Sequence, residues 1–142
     1  EATPESDASP DSGAGNDTTI DGSCSLVLRA EARDESGPCS ICTAGDYITL
    51  VGIIENPCDT SLIYQSEKDC LVSEFVAYNT GSTSSAEYPM TCRDEIYQEL
   101  LDANTFVTRT RPAGRLSAGS YELTVQFEDE ARTVRSMFFT VE

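Results

Sequence analysis

The feature that most constrains the fold is a strict alternation of apolar and polar residues over positions 121–128. The apolar members are Tyr121, Leu123, Val125 and Phe127. Because successive side chains of a β-strand point to opposite faces, this pattern predicts a strand with one buried face and one solvated face. Such alternation is typical of an antiparallel sheet that covers a core on one side.

Six further segments carry strand patterns and are separated by turn residues. We predict these strands over residues 24–31, 47–54, 61–65, 71–78, 106–111 and 133–141. Residues 47–54 are apolar on both faces and rich in β-branched side chains, which indicates a central strand. Residues 80–85 are predicted to form an exposed loop. About seven short strands predict an all-β fold, an antiparallel β-sandwich of the immunoglobulin-like type.

The stretch 90–103 fits two interpretations. Ile96 and Leu100 would share one face of a short helix, and an irregular crossover that holds Cys92 fits equally well. The sequence leaves both open.

The chain has six cysteines and no histidine. The cysteines are Cys24, Cys39, Cys42, Cys58, Cys70 and Cys92. An even number in a chain this short predicts structural disulfides, which persist in oxidising compartments. We therefore expect an extracellular, cell-surface or periplasmic location. The favoured pairings are Cys24 with Cys42 or Cys39, and Cys70 with Cys92.

Residues 1–23 differ in composition from the rest of the chain. They contain six acidic residues, no basic residue and one large aliphatic residue, Ile20. A segment this polar cannot bury enough apolar surface to offset its ordering entropy, so we predict a disordered acidic linker before a domain at 24–142. No export signal is visible, and we expect the chain to be a mature or trimmed form.

The net charge of −16, from 25 acidic and 9 basic residues, limits the classes of partner. Binding to nucleic acid needs clustered Lys and Arg, so no nucleic-acid partner is expected. No apolar run approaches the ~20 residues that a membrane span needs, so any lipid or anchor attachment must come from outside this sequence.

The segment from Leu116 to Phe127 has the pattern L-x-x-G-x-Y-x-L-x-V. It resembles the corner and penultimate strand of immunoglobulin-like and fibronectin-like domains. Together with strand 48–54, Asn56 and strand 62–64, it is also similar to the BsuPI group of bacterial proteinase-inhibitor domains, over about residues 48–141. The resemblance implies a β-sandwich and, as a lesser possibility, proteinase inhibition, but it transfers no functional residue. The chain departs from these families in its six cysteines and in its lack of the core tryptophan of antibody domains.

The sequence has few of the residues and motifs that form known catalytic sites. Without histidine there is no Ser-His-Asp or Cys-His unit, and no phosphate-binding glycine motif is present. Cys39-Ser-Ile-Cys42 has the spacing of a metal knuckle or a redox motif, but it lacks a second knuckle and a βαβ context. Acidic runs such as 128–130 do not match a calcium loop. We predict no enzyme activity and no cofactor.

The leading functional hypothesis is a non-enzymatic extracellular or periplasmic module for protein–protein interaction or structure. It includes a surface lipoprotein and a self-assembling subunit of a filament or large complex, in which 18–20 or the first strand adds to a neighbour's sheet. One alternative is a sandwich-type protease inhibitor, and another is a calcium- or carbohydrate-binding adhesion domain. Arginine is enriched at interfaces, and the bland alternative is ordinary surface pairing of these arginines with the many acidic residues. The candidate interface residues are Thr18, Thr19, Ile20, Arg109, Arg111 and Arg115.

Overall fold

The computed structural model describes residues 24–82 and 84–142. Within these ranges the regular structure consists of β-strands without a helix, so nothing there forms a helix that could cross a membrane. The strands are β1 Val27–Asp34, β2 Gly37–Pro38, β3 Ile41–Cys42, β4 Ile48–Asn56, β5 Leu62–Ser66, β6 Val72–Asn79, β7 Ser85–Pro89, β8 Tyr97–Leu101, β9 Thr105–Gly114, β10 Gly119–Phe127 and β11 Val134–Val141. The predicted linker 1–23 lies outside the described residues.

The strands form two main sheets and a two-stranded ribbon. One sheet has the order β2-β1-β4-β9, and the other has the order β3-β11-β10-β6-β7. The ribbon consists of β5 and β8. The pairs are antiparallel except β3 with β11, which is parallel. The predicted class, an antiparallel β-sandwich of the immunoglobulin-like type, is confirmed.

The core lies between the two main sheets. The alternation over 121–128 behaves as predicted, because Tyr121, Leu123, Val125 and Phe127 are all buried. Opposite them, β4 contributes Leu50 and Ile54. Strand β4 is also buried at Val51 and Ile53, which point to its other face, as expected of a central strand.

Tyr121 marks a corner of the sandwich. Its ring stacks on that of Phe139 with 5.3 Å between the centroids, and its hydroxyl donates a 2.7 Å hydrogen bond to the carbonyl oxygen of Ser117. A tyrosine that bonds back to the backbone a few residues upstream is the tyrosine corner of immunoglobulin-like sandwiches. The geometry therefore agrees with the resemblance carried by residues 116–127.

Two segments differ from the prediction. Residues 97–101 form β8, because they pair with β5 and bury Leu101 in the core, whereas residues 90–96, which hold Cys92, are irregular, as the crossover interpretation expects; neither part is a helix. Residue 85 begins β7, which pairs with β6, so the predicted loop 80–85 ends earlier. In β8 the pairing with the sequence-distant β5, and in β7 the hairpin with the neighbouring β6, decides a local pattern that fits more than one structure.

Gly52 lies where the two sheets approach closely. A Cβ atom at this position would lie 3.0 Å from Cγ2 of Val72 and 3.1 Å from Cγ1 of Val125. We expect Gly52→Val to lower the free energy of unfolding by about 1–3 kcal/mol, because the core must move apart to admit the new methyl groups. Urea denaturation measures this, with Gly81→Val in an exposed turn as control. Equal stability of the Gly52→Val and Gly81→Val proteins would contradict the close approach.

Candidate functional site

All six cysteines form disulfides. The bonds join Cys24 to Cys58, Cys39 to Cys42 and Cys70 to Cys92, with Cα–Cα distances of 5.9, 5.1 and 5.4 Å. The predicted pairing of Cys70 with Cys92 is confirmed. The expected pairing of Cys24 with Cys39 or Cys42 is wrong, because Val27 faces Glu55 in the β1–β4 ladder and the same register, continued outward, brings Cys24 opposite Cys58.

A groove opens beside the Cys24–Cys58 disulfide and has a volume of about 750 Å³. One wall consists of residues 24–26, where the chain enters β1, and the facing wall consists of residues 62–65 of β5. The turn 129–131, between β10 and β11, closes a third side. This volume falls within the range of about 300–1,000 Å³ that is common for ligand pockets. We call it the β5 groove.

The wall formed by β5 is a strand edge. Strand β5 pairs with β8 on one side, and no other strand in the described part of the chain pairs with it. Four consecutive residues, 62–65, line the groove. A sheet face would present only every second residue, so this continuous run indicates that the groove follows the backbone edge. An unpaired edge offers backbone N–H and C=O groups to an incoming strand.

The floor of the β5 groove is apolar. Leu28 and Tyr64 are buried, and Leu26 and Leu62 are half-buried. The hydroxyl of Tyr64 donates a 2.9 Å hydrogen bond to the carbonyl oxygen of Leu71. Burial and the nearby Asp129 raise the pKa of Tyr64, so its phenol stays neutral. The floor therefore presents aliphatic and aromatic carbon to the groove without a charged group.

The rim of the groove is acidic. Asp129 and Glu130 line the groove, and no Lys or Arg does so. Oδ1 and Oδ2 of Asp129 accept hydrogen bonds from the backbone N–H and the hydroxyl of Thr133, at 2.7 and 2.6 Å, which fixes the turn. Glu130 is exposed. The rim thus combines one carboxylate held by the turn with a second that faces solvent.

Beneath this rim a buried carboxylate anchors the turn. Oε2 of Glu128 accepts a 2.5 Å hydrogen bond from the hydroxyl of Ser73, and Oε1 lies 3.4 Å from Nε of Arg132. This ion pair lies outside the residues that line the groove, so we assign it a structural role.

Aliphatic side chains extend the groove onto the ribbon of β5 and β8. Ile63 lines the groove and faces Leu100 directly across the ribbon. Ile63 is 56% exposed and Leu100 is 61% exposed. These two exposed side chains therefore extend the apolar surface of the groove onto the ribbon.

Three of the six predicted interface residues can be compared with the groove. Thr18, Thr19 and Ile20 fall outside the described residues. Arg109 and Arg111 are half-buried on β9, where Nη1 of Arg111 approaches Sδ of Met90 at 3.8 Å. Arg115 lies in the loop between β9 and β10. The structure therefore brings none of these three arginines into the lining of the β5 groove.

Arg115 is held by two contacts. Its guanidinium lies 4.2 Å from the centre of the Tyr47 ring, and its Nε donates a 2.9 Å hydrogen bond to the carbonyl oxygen of Gly45. A cation–π contact of this kind joins two loops of the sandwich.

Two groups of potential metal ligands in the described ranges combine a carboxylate with a disulfide. They are Asp34 with Cys39 and Cys42, and Asp69 with Cys70 and Cys92. The sulfur atoms are bonded to each other and are not available as thiolates. Hydrogen bonds from the backbone N–H groups of Thr43 and Ser36 lower the pKa of Asp34. The carboxylate of Asp34 thus holds the loop around the Cys39–Cys42 disulfide.

Asp69 performs the corresponding task for the Cys70–Cys92 loop. Its carboxylate accepts hydrogen bonds from the backbone N–H of Arg93 at 2.7 Å and from Nε of Arg93 at 2.9 Å. These bonds, the backbone one above all, lower the pKa of Asp69 below its ordinary value of 3.8.

Asp69 should contribute to the acid sensitivity of the fold. A carboxyl whose pKa is lower in the folded state stabilises the fold above its unfolded-state pKa, and that contribution is lost as the pH falls through the folded-state value. We expect Asp69→Asn to lose less stability than the wild type between neutral pH and strongly acidic pH, as measured by urea denaturation across that range. Asp94→Asn, which alters an exposed carboxylate, is the control. If the free energy of unfolding fell equally with acidification in the wild type and in the Asp69→Asn protein, this role would be contradicted.

No family model matches the sequence, and no curated protein matches it. The resemblance to the BsuPI group therefore stays a prediction.

Several solved structures are similar to the chain at low sequence identity. One is the CARDB domain of the PF1109 protein from Pyrococcus furiosus in complex with di-metal ions, with 10% identity over 84% of this chain and 89% of that domain and a TM-score of 0.41. Two others are β-glucosidases from Erythrobacter marinus, with 8% identity and a TM-score of 0.42, and from Listeria innocua, with 10% identity and a TM-score of 0.41. Each covers 84% of this chain, which spans only 16% of either glucosidase. The fold assignment rests on the sheets described above.

Proposed function

We propose that the chain is a non-enzymatic protein–protein interaction module that holds an extended segment of a partner protein in the β5 groove. The observation that carries this proposal is the edge of β5 above an apolar floor, an edge that no strand in the described part of the chain pairs with. An extended segment that adds to a sheet edge gains main-chain hydrogen bonds, while its alternate side chains enter the pockets alongside.

The dimensions of the groove fit a short segment. Residues 62–65 form its β5 wall, and a strand rises by about 3.3 Å per residue, so the wall runs for roughly 13 Å. A strand of about four residues can therefore lie along β5. Its inward side chains would meet Leu26, Leu28 and Tyr64, and a side chain at its margin would meet Ile63.

The disulfides support a location in an oxidising compartment. Bonds of this kind persist at the cell surface, in the medium or in the periplasm, where the cell does not keep thiols reduced. We place the module in such a compartment, as a surface domain or as a subunit of an assembly. In either arrangement its contacts with neighbours, not a reaction, are its function.

Site-specific photo-cross-linking in the producing cells tests this function. A photoreactive residue at position 63 is expected to give one discrete protein adduct, because Ile63 lies at the margin of the groove. The control is a photoreactive residue at position 138, since Phe138 is equally apolar and 68% exposed but lies away from the β5 groove. The same adducts from both positions, or no adduct from position 63, would overturn the proposal.

A further inference from the structure

The β5 groove also indicates the chemistry of its partner. We infer that it binds an extended segment in which an aliphatic residue lies within two positions of a lysine or arginine. This inference rests on the proposed function and deepens it. It depends on three properties of the groove: the apolar floor, the acidic rim and the edge of β5, which has no strand partner within residues 24–82 and 84–142.

The floor selects an aliphatic side chain. Leu26, Leu28 and Tyr64 line the groove, and a Leu, Ile or Val side chain placed against them would remove apolar surface from water. Replacing such a residue by alanine in the partner is expected to weaken binding by about ten-fold. A charged side chain at the same place would lose its hydration without gaining a partner on the floor.

The rim selects a positive charge. Asp129 and Glu130 stand over the groove without a lysine or arginine among the lining residues. Two arginines lie nearby outside the lining: Arg132 pairs with the buried Glu128, and Nε of Arg135 donates a hydrogen bond to the carbonyl oxygen of Leu28. Neither forms an ion pair with Asp129 or Glu130 in the described part of the chain, whose overall charge is strongly negative. Charge complementarity of this kind sets specificity and association rate more than total affinity.

The same charges disfavour the chain's own N-terminal segment. Residues 1–23 join the groove wall at Cys24, so they are the nearest candidate occupant in sequence. They carry six acidic residues and no basic residue. Like charges across a contact act against binding, whether the segment comes from the same chain or from a second copy. The favoured occupant is therefore a basic segment of a different protein.

The strand edge requires an extended backbone. In an antiparallel or parallel ladder only alternate residues of the added strand direct their N–H and C=O groups to β5. Methylating the backbone nitrogens of one alternate set in a bound peptide should therefore abolish binding. Methylating the other set should be tolerated far better.

The test is a fluorescence-polarisation titration of the whole oxidised chain with labelled eight-residue peptides. The first peptide alternates valine with lysine, the second replaces every lysine with glutamate, and the third copies residues 14–21 of the chain. We expect the lysine peptide to bind at least ten-fold more tightly than the other two. Its affinity should fall as salt is raised, because the rim is solvated.

Variants at exposed positions show whether binding occurs in the groove. We expect Ile63→Glu to weaken binding of the lysine peptide by about ten-fold and Glu130→Lys by about five-fold. Phe138→Glu and Glu87→Lys are the matched controls, which change equally exposed residues outside the groove. All four side chains are exposed, so the variants should fold.

Several outcomes would overturn the inference. Equal or tighter binding of the glutamate peptide or of the 14–21 peptide would show that the rim does not select a basic segment. Lysine-peptide binding that is insensitive to Ile63→Glu would place the site elsewhere. Failure of all peptides, combined with a discrete adduct from position 63, would remove this partner class and leave the proposed function standing. Loss of that adduct would remove the proposed function itself.

Discussion

Replacing Asn56 with aspartate is expected to lower the free energy of unfolding by about 3–5 kcal/mol at neutral pH. Asn56 is fully buried at the end of β4. Its Nδ2 donates hydrogen bonds to the carbonyl oxygens of Thr60, Leu101 and Asp102, at 2.9, 3.0 and 3.1 Å. In the aspartate variant a carboxylate oxygen takes the place of Nδ2, so a negative charge faces three carbonyl oxygens that have lost their hydrogen-bond donor.

The loss of stability caused by Asn56→Asp should increase as the pH rises. Burial and the surrounding carbonyl groups would raise the pKa of the introduced carboxyl above its unfolded-state value. The Asn56→Asp protein should therefore lose stability relative to the wild type as the pH rises from acidic to neutral, and recover part of it on acidification. Urea denaturation at several pH values measures this difference.

Asn104→Asp is the matched control for this substitution. Asn104 is exposed in the turn before β9, and its side-chain amide contacts only the carboxylate of Asp59 at 3.4 Å among the described residues. Its φ of 58° is one that aspartate also tolerates. If both substitutions cost the same, Asn56 would not be the link between β4, the approach to β5 and the β8–β9 turn.

The fold class could be predicted because the order of apolar and polar residues along the sequence indicates which segments are strands and which of their faces are buried. The alternation at 121–128 and the two-sided apolar run at 47–54 depend only on which residues face the core, and both segments are strands in the structure. Each of the seven predicted strands is present with slightly different bounds. Strand β8 was not predicted, because the spacing of Ile96 and Leu100 fits a helix and a non-helical segment equally well. Only the pairing of residues 97–101 with β5 decides that they form a strand.

The β5 groove could not be predicted in the same way. Its walls come from segments nearly forty residues apart, 24–26 and 62–65, and a third side comes from 129–131. No local pattern marks an unpaired strand edge, since β5 has the same alternation whether one or both of its edges are paired. The Cys24–Cys58 disulfide beside the groove depends in the same way on the register of β1 and β4, in which Val27 faces Glu55, and the predicted strand bounds do not fix that register.

Removing the Cys24–Cys58 disulfide by Cys24→Ala with Cys58→Ala is expected to cost about 4 kcal/mol. The bond closes a loop with a sequence separation of 34, and a loop of this length restricts the unfolded chain substantially. Removing the Cys39–Cys42 bond by the same double replacement should cost less than about 2 kcal/mol, because its sequence separation is only 3. Guanidinium denaturation of both proteins measures the difference.

The protein without the Cys24–Cys58 bond and the protein without the Cys39–Cys42 bond should differ more in their affinity for the lysine peptide than in their free energy of unfolding. Cys24 forms part of the groove wall, and its disulfide holds residues 24–26 against the end of β4, whereas Cys39 and Cys42 do not line the groove. Under conditions where both proteins remain folded, loss of the Cys24–Cys58 bond should abolish binding of the lysine peptide, since one wall is released. Loss of the Cys39–Cys42 bond should leave that affinity within about two-fold of the wild type, because the wall, floor and rim stay in place. Equal affinities of the two proteins would mean that residues 24–26 take no part in recognition and that the free edge of β5 acts alone.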